Sequence, residues 1–215
     1  KMKKIAEGIF KEGKRIFTEN LTPGKKVYNE KLVRYKGKEY RSWNPYRSKM
    51  AAAILNGIKE IPIGKKSRIL YLGVANGTTA SHFSDIATEG IIYGVEIAFK
   101  PMKKFIKLCE ERKNMVPIFA DANKQELYEA MVEEVDLLYQ DIAQKNQVEI
   151  FMKNMEKFQP DKGIIMVKAR SINIAMEPKK IFERVREEIE RKYEIKEAIK
   201  LSPYARDHIA ISVEI

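Results

Sequence analysis

Three acids in this sequence each close an apolar run. Glu96 follows Gly90-Ile91-Ile92-Tyr93-Gly94-Val95, Asp121 follows Met115-Val116-Pro117-Ile118-Phe119-Ala120, and Asp141 follows Val135-Asp136-Leu137-Leu138-Tyr139-Gln140. Short apolar runs rich in β-branched and aromatic residues read as strands of a buried parallel sheet. Carboxylates at their ends project from one edge, where they can accept hydrogen bonds from the hydroxyls and amines of a single ligand. Upstream, the run 67–72 breaks into Gly73-Val74-Ala75-Asn76-Gly77, and a helical stretch opens at Thr78. Glycines in such a turn let the backbone come close to a ligand. Glu96 lies nineteen residues beyond Gly77, the separation at which an acid on the second strand meets both hydroxyls of a ribose. The turn is G-x-x-x-G, with Ala75 where a dinucleotide fold has its second glycine. It therefore speaks for a nucleoside-type ligand rather than a pyrophosphate.

The elements that position these residues follow from the alternation around them. From residue 67 onward, apolar runs alternate with helical candidates at 78–88, with Thr78 or Thr79 as N-cap, then 101–113 from Pro101, 124–133 and 145–157. A fifth strand, Ile164-Ile165-Met166-Val167-Lys168, precedes a helix 178–192 whose Ile181, Val185 and Ile189 form one stripe. Two last strands, near 193–201 and 208–215, need only a short connection and so pair antiparallel. Strand–helix alternation of this kind gives an α/β fold with a doubly wound sheet. Before it, residues 1–48 read as short strands and turns, with Lys36-Gly37-Lys38 turning a hairpin, in a β piece too thin to stand alone. A helix is expected over 47–59.

Composition sets the outer bounds. The 215 residues, 44% hydrophobic, suffice for one domain with a small appendage. The lack of a membrane-length apolar run points to a soluble, intracellular protein without a membrane partner. Cys109, the single cysteine, and two histidines far apart cannot build a zinc site, so no metal is expected and the thiol reads as buried. The net charge is +11, and residues 1–49 hold 15 Lys/Arg against 5 Asp/Glu, leaving 26 against 25 for the rest. Such asymmetry suggests a polyanion met chiefly by the N-terminal part. The plainer alternative is a Lys- and Glu-rich surface of a heat-adapted protein.

Several strings together resemble the fibrillarin family in its archaeal form. They are Trp43-Asn44-Pro45-Tyr46-Arg47-Ser48-Lys49, Leu70-Tyr71-Leu72-Gly73 through Gly77-Thr78-Thr79-Ala80-Ser81-His82, Tyr93-Gly94-Val95-Glu96, Asp141-Ile142-Ala143-Gln144, Val167-Lys168-Ala169-Arg170-Ser171-Ile172, and Pro203-Tyr204 with Asp207-His208. The resemblance spans essentially the whole chain. Asn76, Gln140 and Lys145 depart from the family's usual small residue, Glu and Pro.

The resemblance implies a Rossmann-like class I methyltransferase: a mostly parallel seven-stranded sheet with its last strand antiparallel, divided as a basic N-terminal β domain, 1–48, and a catalytic domain, 49–215. It implies S-adenosylmethionine as methyl donor, S-adenosylhomocysteine as product, and ribose 2′-hydroxyls of rRNA and tRNA as acceptors. The expected partners are a Nop-family coiled-coil scaffold, a kink-turn-binding ribosomal-type protein, and a box C/D guide RNA with its target. The expected location is the archaeal cytoplasm. By the same resemblance, Gly73, Ala75, Gly77, Thr78 and Thr79 line the methionine and ribose side, and Glu96 with Ile97 meets the ribose. Asp121 and Ala122 face the adenine, and Asp141 and Gln144 lie near the methionine amine and the methyl. Lys49, Asp141, Lys168 and His208 form the quartet around the target ribose.

That chemistry is displacement of a sulfonium methyl by a ribose oxygen, which demands alignment and loss of the hydroxyl proton. Lys168 is the candidate base or oxygen-steering group, with Asp141 positioning it and Lys49 and His208 holding the ribose and its phosphate. In isolation each has a plainer reading: Lys168 as a surface lysine, Asp121 and Asp141 as helix caps, Lys49 on a solvated helix face, His208 on an edge strand. His82 reads as structural, and Trp43 and Tyr46 as packing at the domain joint. A guide-independent RNA 2′-O-methyltransferase and a non-catalytic RNA–protein scaffold are the alternative functions.

Overall fold

Alternation of side chains builds a first sheet from β1 (Lys3–Ala6), β2 (Ile9–Glu12), β3 (Arg15–Glu19), β4 (Leu32–Tyr35) and β5 (Lys38–Trp43) in the computed structural model, which describes residues 1–215. Its strands are antiparallel in the order β1-β2-β3-β5-β4. The expected hairpin turns on Lys36 and Gly37, whose φ values of 49° and 79° are the left-handed pair a two-residue connection needs. β1 is not legible in the sequence, because Lys3 and Lys4 leave an exposed strand without an apolar face.

The rest of the chain runs α1 (Lys49–Leu55), β6 (Arg68–Leu72), α2 (Thr78–Ile86), β7 (Ile91–Glu96), α3 (Phe99–Glu111), β8 (Met115–Phe119), β9 (Leu137–Gln140), α4 (Gln147–Phe158), β10 (Lys162–Lys168), the single turn α5 (Ala169–Ile172), α6 (Pro178–Glu190), β11 (Glu194–Lys200) and β12 (His208–Glu214). The sheet order is β11-β12-β10-β9-β6-β7-β8. Strands β6 to β10 are parallel, while β12 enters antiparallel between β10 and β11. This is the seven-stranded arrangement expected above.

Alternate residues of each strand serve opposite layers: Ile69 and Tyr71 join one core, Leu70 and Leu72 the other. The first core also takes in Ile9, Ile16 and Trp43. The N-terminal sheet is therefore fused to the α2 side by shared apolar packing.

Three local expectations are corrected. Residues 124–133 form two 3₁₀ turns, Gln125–Leu127 and Glu129–Met131, instead of an α-helix. Tyr128 between them is fully buried, and its hydroxyl lies 3.0 Å from the Ala122 carbonyl and 2.5 Å from Asn154 Oδ1, which pins the segment in a tighter winding. Neither Thr78 nor Thr79 caps α2. The cap is Gly77, left-handed at φ 89°. The helix at 47–59 is shorter than its alanine content suggests, because Gly57 at φ 96° ends it. Cys109 is buried, and burial pushes its thiol up to about 12.

A buried ionic cluster joins the two sheets. Asp85 of α2 accepts from Arg41 Nη1 at 2.9 Å, Arg112 Nη1 at 2.7 Å, the Thr18 hydroxyl at 2.6 Å and the Leu21 amide at 2.9 Å. Arg41 also reaches Glu30 at 2.7 Å and Ser81 at 2.8 Å. Beside it, His82 is fully buried and stacks on Trp43 with centroids 4.8 Å apart. Trp43 thus packs the joint as expected, whereas Tyr46 is 68% exposed and meets only the edge of Tyr204.

The Thr18 hydroxyl has one proton and gives it to Asp85, so at 2.8 Å His82 Nδ1 must be the donor to Thr18. Nε2 lies 2.7 Å from Tyr28 Oη, which also meets the Ser42 carbonyl at 2.9 Å. Burial, then the nearby Arg41 and Arg112 cations, hold His82 well below its usual 6.5. The unfolded chain therefore binds the proton first, and stability present above about pH 6.5 is lost as pH falls toward the folded value. Urea midpoints measured at descending pH are expected to drop below neutrality, and His82→Asn is expected to start lower but fall less steeply.

Candidate active site

The glycine turn after β6 is shaped by left-handed residues: Gly73, Ala75 and Gly77 have φ of 79°, 52° and 89°. At Gly73 a Cβ would stand 2.1 Å from the Asp141 carbonyl, so only glycine lets β6 and β9 end side by side. Ala75 tolerates a conformation that costs an L-residue about 1–2 kcal/mol. In return its amide turns toward the second strand and donates to Glu96 Oε1 at 2.9 Å, while the Ala98 amide donates to Oε2 at 2.9 Å. Each carboxylate oxygen keeps a second lone pair.

Glu96 lines a cavity of about 240 Å³ together with Gly73, Ile97, Ala122, Asp141 and Gln144. Val95, Ala120, Ile142 and Ala143 complete its apolar wall and were not singled out in the sequence. Small and apolar residues of that kind carry no chemical signature; their one cue is that they flank the strand-end acids. Ile97 is 52% exposed, an apolar side chain presented to the opening.

The cavity fits an adenosyl donor in its residue types. A carboxylate with two free acceptor positions suits a ribose diol, an apolar wall suits a purine, and the glycine turn leaves room for close approach. Asp121 is brought near without lining the cavity. Its Oδ1 accepts from the backbone and side chain of Asn123, both at 2.9 Å, and these bonds hold the carboxyl below its usual range. Asn123 in turn donates to Gln144 Oε1 at 3.3 Å. Thr78 stands partly exposed at the start of α2; Thr79 is buried and hydrogen-bonds Ser48 at 2.8 Å.

That contact fixes the entry to α1. Ser48 Oγ also accepts from Trp43 Nε1 at 2.9 Å. The next residue, Lys49, is thereby carried over the end of β9, where its ammonium bridges both oxygens of Asp141 at 3.0 and 2.8 Å. Asp141 was expected to position Lys168; it pairs with Lys49 instead, because α1 opens directly above it.

Lys168 ends β10 directly opposite His208 at the start of β12. Its amide donates to Gln147 Oε1 at 2.9 Å. Gln147 is fully buried, a polar residue on the inner face of α4, and that anomaly was the signal that could have found it. His208 Nδ1 donates to the Arg206 carbonyl at 2.7 Å. Partial burial lowers the His208 pKa, Lys49 and Lys168 adding to the effect while the Arg206 carbonyl and Asp141 oppose it. The imidazole is therefore neutral near pH 7, with Nε2 as its acceptor. The four quartet residues converge at one end of the sheet, and Asp141 belongs to both the quartet and the cavity.

With this geometry, comparison with known proteins gives a consistent result. A model of the family described as fibrillarin matches residues 1–215. The chain is 49% identical over 211 residues to the fibrillarin-like rRNA/tRNA 2′-O-methyltransferase of Methanopyrus kandleri, covering 96% of this chain and 91% of that protein. Among solved structures it superposes on Aeropyrum pernix fibrillarin in complex with natively bound S-adenosyl-L-methionine, with TM-score 0.88, 41% identity and 99% of each chain covered. It also superposes on the fibrillarin of a fibrillarin/Nop5p complex, with TM-score 0.91, 43% identity and 99% of each chain covered.

Proposed function

Because the chain belongs to the fibrillarin family, we propose that it is the catalytic subunit of a box C/D ribonucleoprotein that methylates ribose 2′-hydroxyls of rRNA and tRNA under guide-RNA direction. The observation that carries this reading is the double membership of Asp141. One carboxylate lines the nucleoside cavity and anchors a cationic pocket, so donor and acceptor sites share a wall. Residues 1–48 act as a seat that holds α2 and the Lys49 helix, and 49–215 carry the chemistry. The Nop-family scaffold is supported by the relative solved with Nop5p; a kink-turn-binding protein, the guide and its target complete the particle. No helix is long and apolar enough to cross a membrane, in keeping with work in the cytoplasm.

Bound S-adenosylmethionine supplies an electrophilic methyl on a sulfonium and leaves as S-adenosylhomocysteine. Glu96 takes the donor's ribose hydroxyls, Ile97 and Ala122 flank its adenine, and Gly73, Ala75, Gly77, Thr78 and Thr79 shape the wall beside it. Gln144 and Asp141 serve the amine end, while Asp121, through Asn123, holds Gln144 in place. On the acceptor side, Lys49, fixed by Asp141, and neutral His208 hold the target ribose. Lys168 steers the 2′-oxygen and receives its proton.

Glu96→Ala is expected to weaken S-adenosylmethionine binding about 10- to 150-fold, the cost of about 1.5–3 kcal/mol of charge-assisted hydrogen bonding. Calorimetric titration of the wild type and the variant checks it, and equal affinities would remove Glu96 from the site.

A further inference from the structure

Helix α3 carries its charge in an electrostatically unfavourable place. Lys100, Lys103, Lys104 and Lys107 are all exposed. Spaced three and four apart, each has like-charged neighbours along one face, an arrangement that destabilises a helix. They also crowd the N-terminal half of α3, where the helix dipole disfavours cations, and no acid stands in its first turn. Some charges elsewhere on the surface are paired, as in Glu149–Lys153 at 3.0 Å and Lys192–Glu156 at 3.4 Å.

The four lysines face a groove made of two adjoining cavities, of about 590 and 450 Å³, which share Asn76, Lys104 and Lys107. Lys26 and Arg47 line the same groove. Its one acid, Glu111, is held by Lys25 at 3.4 Å. No carboxylate pairs with the remaining six cations. Clustered cations without acidic neighbours form an electrostatic footprint for a polyanion. Window-by-window charge counting misses it, because acids elsewhere in residues 50–215 balance these lysines in number but not in space.

The groove abuts the reaction site. Asn76 belongs to the glycine turn, Thr78 opens α2 directly after it, and Arg47 precedes Lys49 by two residues. We propose that this groove binds the phosphate backbone of the RNA flanking the nucleotide to be methylated, so that Lys26, Arg47 and the α3 lysines set the register in which a ribose reaches Lys49 and Lys168. The proposal rests on the function given above and deepens it.

The test is Lys103→Gln/Lys104→Gln/Lys107→Gln in the assembled particle, against Lys3→Gln/Lys11→Gln/Lys14→Gln, which removes equal charge away from the groove. RNA affinity is measured over a salt series, beside donor affinity and thermal midpoint. The groove variant is expected to bind RNA at least about 10-fold more weakly and to flatten the slope of log affinity against log salt by about two to three, with donor affinity unchanged and a thermal midpoint no lower than that of the wild type, since like-charge repulsion along α3 is relieved. The control variant keeps the wild-type slope. An unchanged slope in the groove variant would overturn the proposal, and so would lost affinity for the protein scaffold with an unchanged RNA slope, which would assign the groove to an acidic protein. Because the slope is read without methyl transfer, a wild-type particle that binds with the expected slope yet transfers no methyl contradicts the assigned reaction and leaves the groove standing.

Discussion

Lys168→Ala is expected to slow single-turnover methyl transfer in the assembled particle by about 10²–10⁴-fold, the range for loss of a group that moves a proton in the transition state. The size follows from how the side chain is held. Gln147 fixes its amide, strand pairing sets it opposite His208, and its side-chain nitrogen enters no salt bridge, so as the free amine it can take the proton of an incoming hydroxyl. Lys49 differs: it is committed to Asp141 by two contacts and is suited to orienting rather than accepting. Lys168→Arg is a sharper probe, since it keeps the positive charge but cannot give up a proton near neutral pH. Rapid-quench measurement with labelled donor reads both variants. A Lys168→Ala rate within about 3-fold of wild type would exclude a proton-transfer role.

Asp85→Ala is expected to cost about 3–5 kcal/mol, because it leaves two buried guanidinium groups facing each other without their shared carboxylate. Against a total stability of about 5–15 kcal/mol for a typical domain, that is a large share of the fold. Chemical denaturation checks it, with Asp85→Asn keeping the shape while removing the charge. The consequence extends to function. Asp85 ties β3 and β5 to α2, and Thr79 of α2 holds Ser48, the residue that launches Lys49. A loosened joint is therefore expected to reduce methyl transfer in the surviving folded fraction as well. A denaturation midpoint equal to that of the wild type would show that the cluster contributes nothing net.

What could be read from the chain and what could not divide along physical lines. Strands β6 to β10 were legible because a parallel sheet covered on both faces demands continuous apolar runs, and the acids ending three of them stand where ligands gather. Helix ends were less so: α1 stops early at a left-handed glycine, and the 3₁₀ turns around Tyr128 depend on partners distant in sequence, Asn154 among them. Arg41 and Arg112 counted as surface charge in any composition reading, yet both are fully buried in ion pairs that only the tertiary fold assembles. The same limit applied at the site. Glu96 could be placed from its distance to the glycine turn, whereas the pairing of Asp141 with Lys49 rather than Lys168 depends on the angle at which α1 enters.

The whole account depends on one edge of the sheet presenting donor and acceptor sites to each other across Asp141. Its most direct measurement is transfer of labelled methyl from S-adenosylmethionine, by this chain assembled with scaffold, kink-turn protein and guide, to a target RNA carrying either a ribose or a 2′-deoxyribose at the guide-specified nucleotide. Label confined to the ribose form, at that nucleotide and only with the guide present, is the predicted result. Label appearing on the deoxy target, or on free RNA without guide or partners, would contradict it.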